Sequence, residues 1–296
     1  MQRKTIFLLM LFAGYILQLK AQSNKHYPLF AFNNAVADAQ YDTPEKQVAL
    51  IKSIGFAGME KEGINGLTET LQALDKHDLK LFTIYININL DNPEQPYDQN
   101  LENVFKLLKG RGTMPWFYVT SSKFKSSSVE TDIIAVPILQ RVADLAAQYR
   151  LKIMVYPHQN YWIESVDDAL RVVKKADRKN LGFTFNLCHF LAVEGLKADE
   201  KFTSLVEQSI PYLFAISLNG ADYPTKEILR SQNVWNSFIQ PLGSGNYNTF
   251  KYLETFISKG FKGPVGLQCY NINKEKPVHL KESIIAWKDY MNRMKK

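Results

Sequence analysis

The sequence predicts an α/β fold, a single-domain (β/α)8 barrel, on three observations. Apolar runs of strand length alternate with helical patterns along the whole chain, eight such runs can be counted, and several end in polar residues. Eight βα units suit a closed barrel better than a doubly wound sheet. Polar groups at successive strand ends are what the converging βα loops of a barrel build into a site. No internal repeat, low-complexity tract or Pro/Gly linker divides the chain.

The candidate strands are 29–33, 57–60, 80–86, 116–120, 152–156, 181–186, 213–218 and 265–268. After the first, Thr43-Pro44-Glu45 starts a helix with a capping side chain and a proline at the first helical position, and Gly55 ends it. Helical spacing recurs at 67–77, 97–110, 134–149, 166–176 and 248–260, and 278–296 reads as the closing helix. Side chains alternate along a strand. Along the sixth strand this puts Gly182, Thr184, Asn186 and Cys188 on a small, polar face suited to the barrel interior. Phe183 and Phe185 then face the helices. The same rule turns Tyr156 and His158, Ser217 and Asn219, and Gln268 and Tyr270 inward, with Glu60 and Tyr85 from the second and third strands.

Arg3 and Lys4 precede an apolar stretch over 5–19, and Ala21 is a small residue at a cleavage point. Residues 1–21 therefore read as a signal peptide and 22–296 as the barrel, which predicts a periplasmic or secreted protein. A retained anchor is the alternative, although fifteen residues interrupted by Gly14, Tyr15 and Gln18 are short for a membrane span. Losing residues 1–21 lowers the formal charge from +7 to +4, and the remaining lysines are scattered along helical stretches. Nucleic acid needs a concentrated basic strip, so it is not an expected partner, nor is a membrane after signal removal. Cys188 and Cys269 face different layers, so free buried thiols are expected rather than a disulfide. Oligomeric state is not legible.

The strand ends carry the chemistry. They are rich in neutral amides and hydroxyls (Asn186, Ser217, Asn219 and Gln268), a set that hydrogen-bonds a polar, uncharged ligand. His158 and His189 offer groups that titrate near neutrality, with Glu60, and Glu62 behind it, as carboxyl partners. Tyr161 and Trp162 follow the Pro157-His-Gln-Asn160 turn, where either ring can stack on a sugar face. Gly243-Ser-Gly245 reads as a tight turn before a helix capped by Asn248 or Thr249, with an anion nest as the alternative. His26, His77 and His279 read as solvated.

Several motifs in order give a family resemblance. They are Pro157-His158, Asn186-Leu-Cys-His189, Leu218-Asn-Gly220, Pro241-Leu-Gly-Ser-Gly-Asn-Tyr247 and Gly263-Pro-Val-Gly-Leu-Gln268. Over roughly residues 27–290 the chain resembles the xylose-isomerase-like barrel superfamily of sugar isomerases, sugar-phosphate epimerases and metal-dependent endonucleases. The resemblance implies a divalent metal held by a glutamate on strand five, an aspartate or histidine after strand six, a histidine on strand seven and a glutamate on strand eight. Those positions here hold Tyr156, Asn186, Ser217 and Gln268. None is a charged ligand of the kind a hard cation needs, so no cofactor is expected. A Mn, Zn or Mg ion held by the two histidines and a carboxylate is the open alternative.

The resulting expectation is an isomerase- or epimerase-type enzyme acting on a small unphosphorylated carbohydrate by proton transfer beside a carbonyl. His158, His189 and Glu60 would move protons. Tyr156, Asn186, Ser217, Asn219, Gln268 and Trp162 would bind the sugar. A lyase on a keto-sugar or keto-glycoside is chemically adjacent. A barrel that has lost catalysis and only binds saccharide is the alternative from another class.

Overall fold

In a computed structural model, which describes residues 27–295, eight parallel strands close into a barrel in chain order. The strands are β1 (Leu29–Ala31), β2 (Gly58–Glu62), β3 (Lys80–Asn89), β4 (Trp116–Thr120), β5 (Ile153–Val155), β6 (Leu181–Asn186), β7 (Leu213–Leu218) and β8 (Val265–Leu267). β1 closes the ring on β8, with Ala31 opposite Leu267. Residues 1–21 and His26 lie outside the described residues. No helix among the described residues is long and apolar enough to cross a membrane.

The first helices are α1 (Asn33–Val36), α2 (Pro44–Ile54), α3 (Leu67–Lys76), α4 (Leu101–Leu108), α5 (Asp132–Gln148) and α6 (Val166–Ala176). After β6 come α7 (Leu187–Glu194), α8 (Ala198–Ser209), α9 (Lys226–Leu229), α10 (Trp235–Phe238), α11 (Thr249–Ser258) and α12 (Lys276–Arg293). The expected start of α2 is present: the Thr43 side chain accepts from Lys46 N–H, Pro44 opens the helix and Gly55 closes it in the left-handed conformation. Sequence reading missed α7, which is apolar on every side (Leu-Cys-His-Phe-Leu-Ala-Val) and so has no amphipathic period to find.

The barrel interior is filled by rings, up to the floor of the cavity at the strands' carboxyl ends. Phe30 stacks on Phe82 at 5.0 Å, and Trp116 meets Phe32 edge-on at 5.1 Å. Gly266 makes room, since a Cβ there would lie 2.5 Å from the Phe32 ring. On the outside, Phe185 packs against Phe202 and Phe256, in the helix layer as its alternation requires. Cys188 and Cys269 are buried and unpaired. Cys188, however, sits in the first turn of α7 rather than on the strand face assigned to it.

His279 is a correction. It is fully buried on α12, with neither ring nitrogen partnered, because residues 279, 280, 283 and 287 form the face that α12 turns inward. Gly58 tests the packing at the foot of the sheet. A Cβ there would lie 1.8 Å from the Lys80 carbonyl oxygen. Gly58→Ala must push β2 and β3 apart and is expected to cost about 3 kcal/mol, at the upper end of overpacking penalties. Urea unfolding followed by circular dichroism checks it: an unchanged midpoint would contradict this close approach.

Candidate active site

The strands' carboxyl ends open into a cavity of 420 Å³. Its polar lining is Asn34, Glu60, Glu62, His158, His189 and Gln268. Aromatic walls come from Tyr85, Trp116, Tyr156, Tyr161, Trp235 and Tyr270, with Phe32 and Ile239 completing them. Among the described residues, no lysine or arginine lines it.

The turn after β5 places His158. Its backbone N–H reaches Ile163 O at 3.0 Å, Tyr161 N–H returns to His158 O at 3.0 Å, and Asn160 takes the left-handed conformation between them. Tyr161 thereby stacks on the His158 ring, 3.9 Å between centroids and 14° between planes. Nδ1 lies 2.7 Å from Gln159 O. A carbonyl only accepts, so Nδ1 carries the hydrogen and the neutral ring presents its lone pair at Nε2. Burial lowers the ring's pKa to about 4.

His189 stands 3.8 Å from His158, ring to ring, with Trp235 edge-on at 5.2 Å. β6 runs directly into α7 at Asn186, so His189 falls in that helix's first turn, beside the cavity. Burial and then the neighbouring His158 hold it well below the usual histidine range, and its Nδ1 has no partner among the described residues. Both imidazoles are therefore neutral at neutral pH.

Glu60, on β2, is 5% exposed and makes no surface pair with a lysine. Its Oε2 accepts from Asn33 N–H at 2.6 Å, at the start of α1. That bond favours the carboxylate, but burial outweighs it and pushes the pKa up to about 8. At neutral pH the protonated acid predominates. In a ring of eight strands β2 lies opposite β6, so Glu60 and His189 line the cavity from elements on opposite sides of the barrel.

The other expected contacts divide. Tyr156 and Gln268 line the cavity. Asn186, Ser217 and Asn219 do not, because each is buried at its strand end and turned to a protein partner. The Asn186 amide donates to the Tyr156 hydroxyl, and the Ser217 hydroxyl donates to Phe185 O at 3.4 Å. Asn219 donates to Phe238 O at 2.6 Å and so fixes the end of α10, whose Trp235 walls the cavity. Trp162 is a further correction. It is 1% exposed, its backbone N–H bonds Val119 O and Arg171 lies over its ring at 5.9 Å, so its neighbour Tyr161 faces the ligand instead.

Sequence reasoning missed Asn34, Phe32, Trp235 and Ile239. Trp235 and Ile239 sit in or beside a four-residue helix in the long β7–α11 connection, where no periodic pattern reveals a facing. The Gly243-Ser-Gly245 turn is the tight turn expected, with Ser244 N–H on Pro241 O and Asn248 capping α11.

The four positions that hold the family's metal do not fit one here. A divalent cation needs anionic oxygens or imidazoles. Asn186, Ser217 and Gln268 are neutral, and burial holds the Tyr156 phenol well above its ordinary range. Among the described residues, no three His, Cys, Asp or Glu side chains gather closely enough to hold a metal, so Glu60 does not join the two histidines as a ligand set.

Solved structures share this fold at low identity. The IolI protein with a bound zinc atom matches 90% of this chain and 99% of its own, with a TM-score of 0.68 and 14% identity. The 3-keto-D-glucoside 4-epimerase YcjR of E. coli matches 88% of this chain and 98% of its own, at 0.66 and 15%. The D-allulose 3-epimerase of Methylomonas sp. matches 90% and 98%, at 0.67 and 13%. The chain spans 42% of a xylose isomerase-like TIM barrel/4-hydroxyphenylpyruvate dioxygenase fusion protein, with a TM-score of 0.67. No curated protein matches its sequence. The family described as xylose isomerase-like TIM barrel matches residues 48–290. With the closed barrel and a cavity at its carboxyl face, the chain belongs to that family.

Proposed function

We propose that the protein is an epimerase- or isomerase-type enzyme that moves a proton beside the carbonyl of an unphosphorylated keto-sugar or keto-glycoside, without a divalent metal. The observation that carries this reading is a neutral histidine pair and a protonated Glu60 on opposite sides of one aromatic cavity. Epimerisation can use that arrangement, because a proton leaves one face of the ring and returns to the other. The aromatic walls suit the apolar face of a pyranose. A lining without lysine or arginine among the described residues disfavours a phosphorylated substrate. The 3-keto-D-glucoside 4-epimerase and the D-allulose 3-epimerase of the same fold support the substrate class. The charged-then-apolar N-terminal run supports action outside the cytoplasm.

In this reading His158 Nε2 accepts the proton from the carbon beside the carbonyl, with His189 packed against its ring. Glu60 returns a proton from the other side. The test is proton NMR in D2O with methyl keto-glucosides and free ketoses. The expected result is deuterium uptake at the carbon beside the carbonyl together with the inverted product. Saturable binding with no uptake would sink the enzyme reading and leave a carbohydrate-binding barrel.

A further inference from the structure

Two of the four positions that hold a cation in this family meet here, and a third, Gln268, lines the same cavity. The Asn186 side-chain amide donates to the Tyr156 hydroxyl. The Cys188 thiol donates to Asn186 Oδ1 at 3.1 Å, and the Tyr270 backbone N–H donates to Gln268 Oε1 at 3.0 Å. With the Asn186 carbonyl oxygen taken, what that amide presents to the phenol is its NH2 group. A phenol oxygen has one hydrogen and two acceptor sites. Asn186 occupies an acceptor site, and the hydrogen stays available. No described residue accepts it, and Tyr156 lines the cavity beside His158.

We propose that the Tyr156 hydroxyl takes the place of the family's cation as the group that polarises the substrate, donating its hydrogen to the carbonyl oxygen while Asn186 holds it in position. This rests on the proton-transfer reading above. The C–H bond beside the carbonyl breaks and its proton passes to His158 Nε2. The bonding pair forms a C=C bond, and the carbonyl π pair moves onto oxygen, where the Tyr156 O–H meets the developing charge. The same pairs reverse when the carbon is reprotonated. A base as weak as a buried imidazole makes such a donor necessary, because the enolate oxygen must be stabilised for the proton to leave. Tyr156 remains protonated throughout the working range, since burial raises its pKa. Asn186, which sits behind the tyrosine, is a positioning residue.

The experiment compares wild type with Tyr156→Phe on a methyl keto-glucoside carrying 13C at its carbonyl. Two quantities are read, the rate of deuterium uptake and the carbonyl resonance of the bound sugar. The expected loss in kcat is on the order of 10²–10³, the cost of removing one oxyanion donor, with KM within a few-fold. The bound carbonyl resonance is expected to move upfield as the hydrogen bond disappears. Asn186→Asp is the second variant and leaves the packing intact. It sets an acceptor where the amide donated, draws the phenol hydrogen away from the sugar and should lower kcat similarly. Exchange in wild type that Tyr156→Phe matches, with the resonance unmoved, overturns the role of Tyr156 alone. A wild type that binds the probe with a shifted carbonyl yet exchanges nothing sinks the proton-transfer reading and supports the donor. A wild type that fails to bind the probe sinks both.

Discussion

His158→Ala is expected to lower turnover by on the order of 10²–10⁴, the range for loss of a general acid or base, while the protein stays folded and still binds its sugar. The prediction follows from how the ring is held. Nδ1 is committed to Gln159 O, Tyr161 covers one face, and the remaining nitrogen carries the lone pair. Alanine removes that lone pair and leaves the aromatic walls that bind the ligand. Steady-state kinetics with equilibrium binding on the same preparation checks it. Full turnover in the variant would remove His158 from the chemistry, and His189 would then be the base to test. Loss of binding with little change in kcat would make the histidine a binding group only.

Glu60→Gln is expected to separate two events that the wild type couples. Glutamine cannot deliver a proton to carbon, so the inverted product should fall by on the order of 10²-fold or more. Deuterium uptake on the histidine side should persist. The pH dependence gives the same division with a definite sign. The imidazole must be neutral, so exchange falls as pH drops through about 4, the folded value for His158. The carboxyl must be protonated, so inversion falls as pH rises through about 8, the folded value for Glu60. Wild type should therefore show a plateau between those limits, and Glu60→Gln should lack the alkaline limb in its residual exchange. A wild-type profile flat through the alkaline range would place the returning proton on another group.

The barrel is legible in the sequence because its signals are local. Strand-length apolar runs, the Thr43-Pro44 start and Gly55 stop of α2, and the inward alternation of Tyr156 and Gln268 each need only a few residues. The site is legible only in part, for a physical reason. Alternation says which way a strand residue faces but not whether a neighbour has already claimed its polar atoms. Asn186, Ser217 and Asn219 are buried at their strand ends, and each is bonded to protein. Trp162 and Tyr161 are adjacent in a turn, where no period decides between them; a backbone bond to Val119 and cover from Arg171 bury Trp162 and leave Tyr161 to the cavity. His279 is misread as solvated because α12 carries charge on several sides and its buried face is set by the helices it packs on.

On the proposed reading, neutral side chains perform here the chemistry that this family assigns to a metal. Its most direct test is deuterium uptake by protein whose metal content has been measured, before and after chelator treatment and with Mn, Zn or Mg added back. Substoichiometric metal and the same exchange rate in all three states are expected. About one equivalent of retained metal, with exchange lost on chelation and restored by the ion, would contradict it.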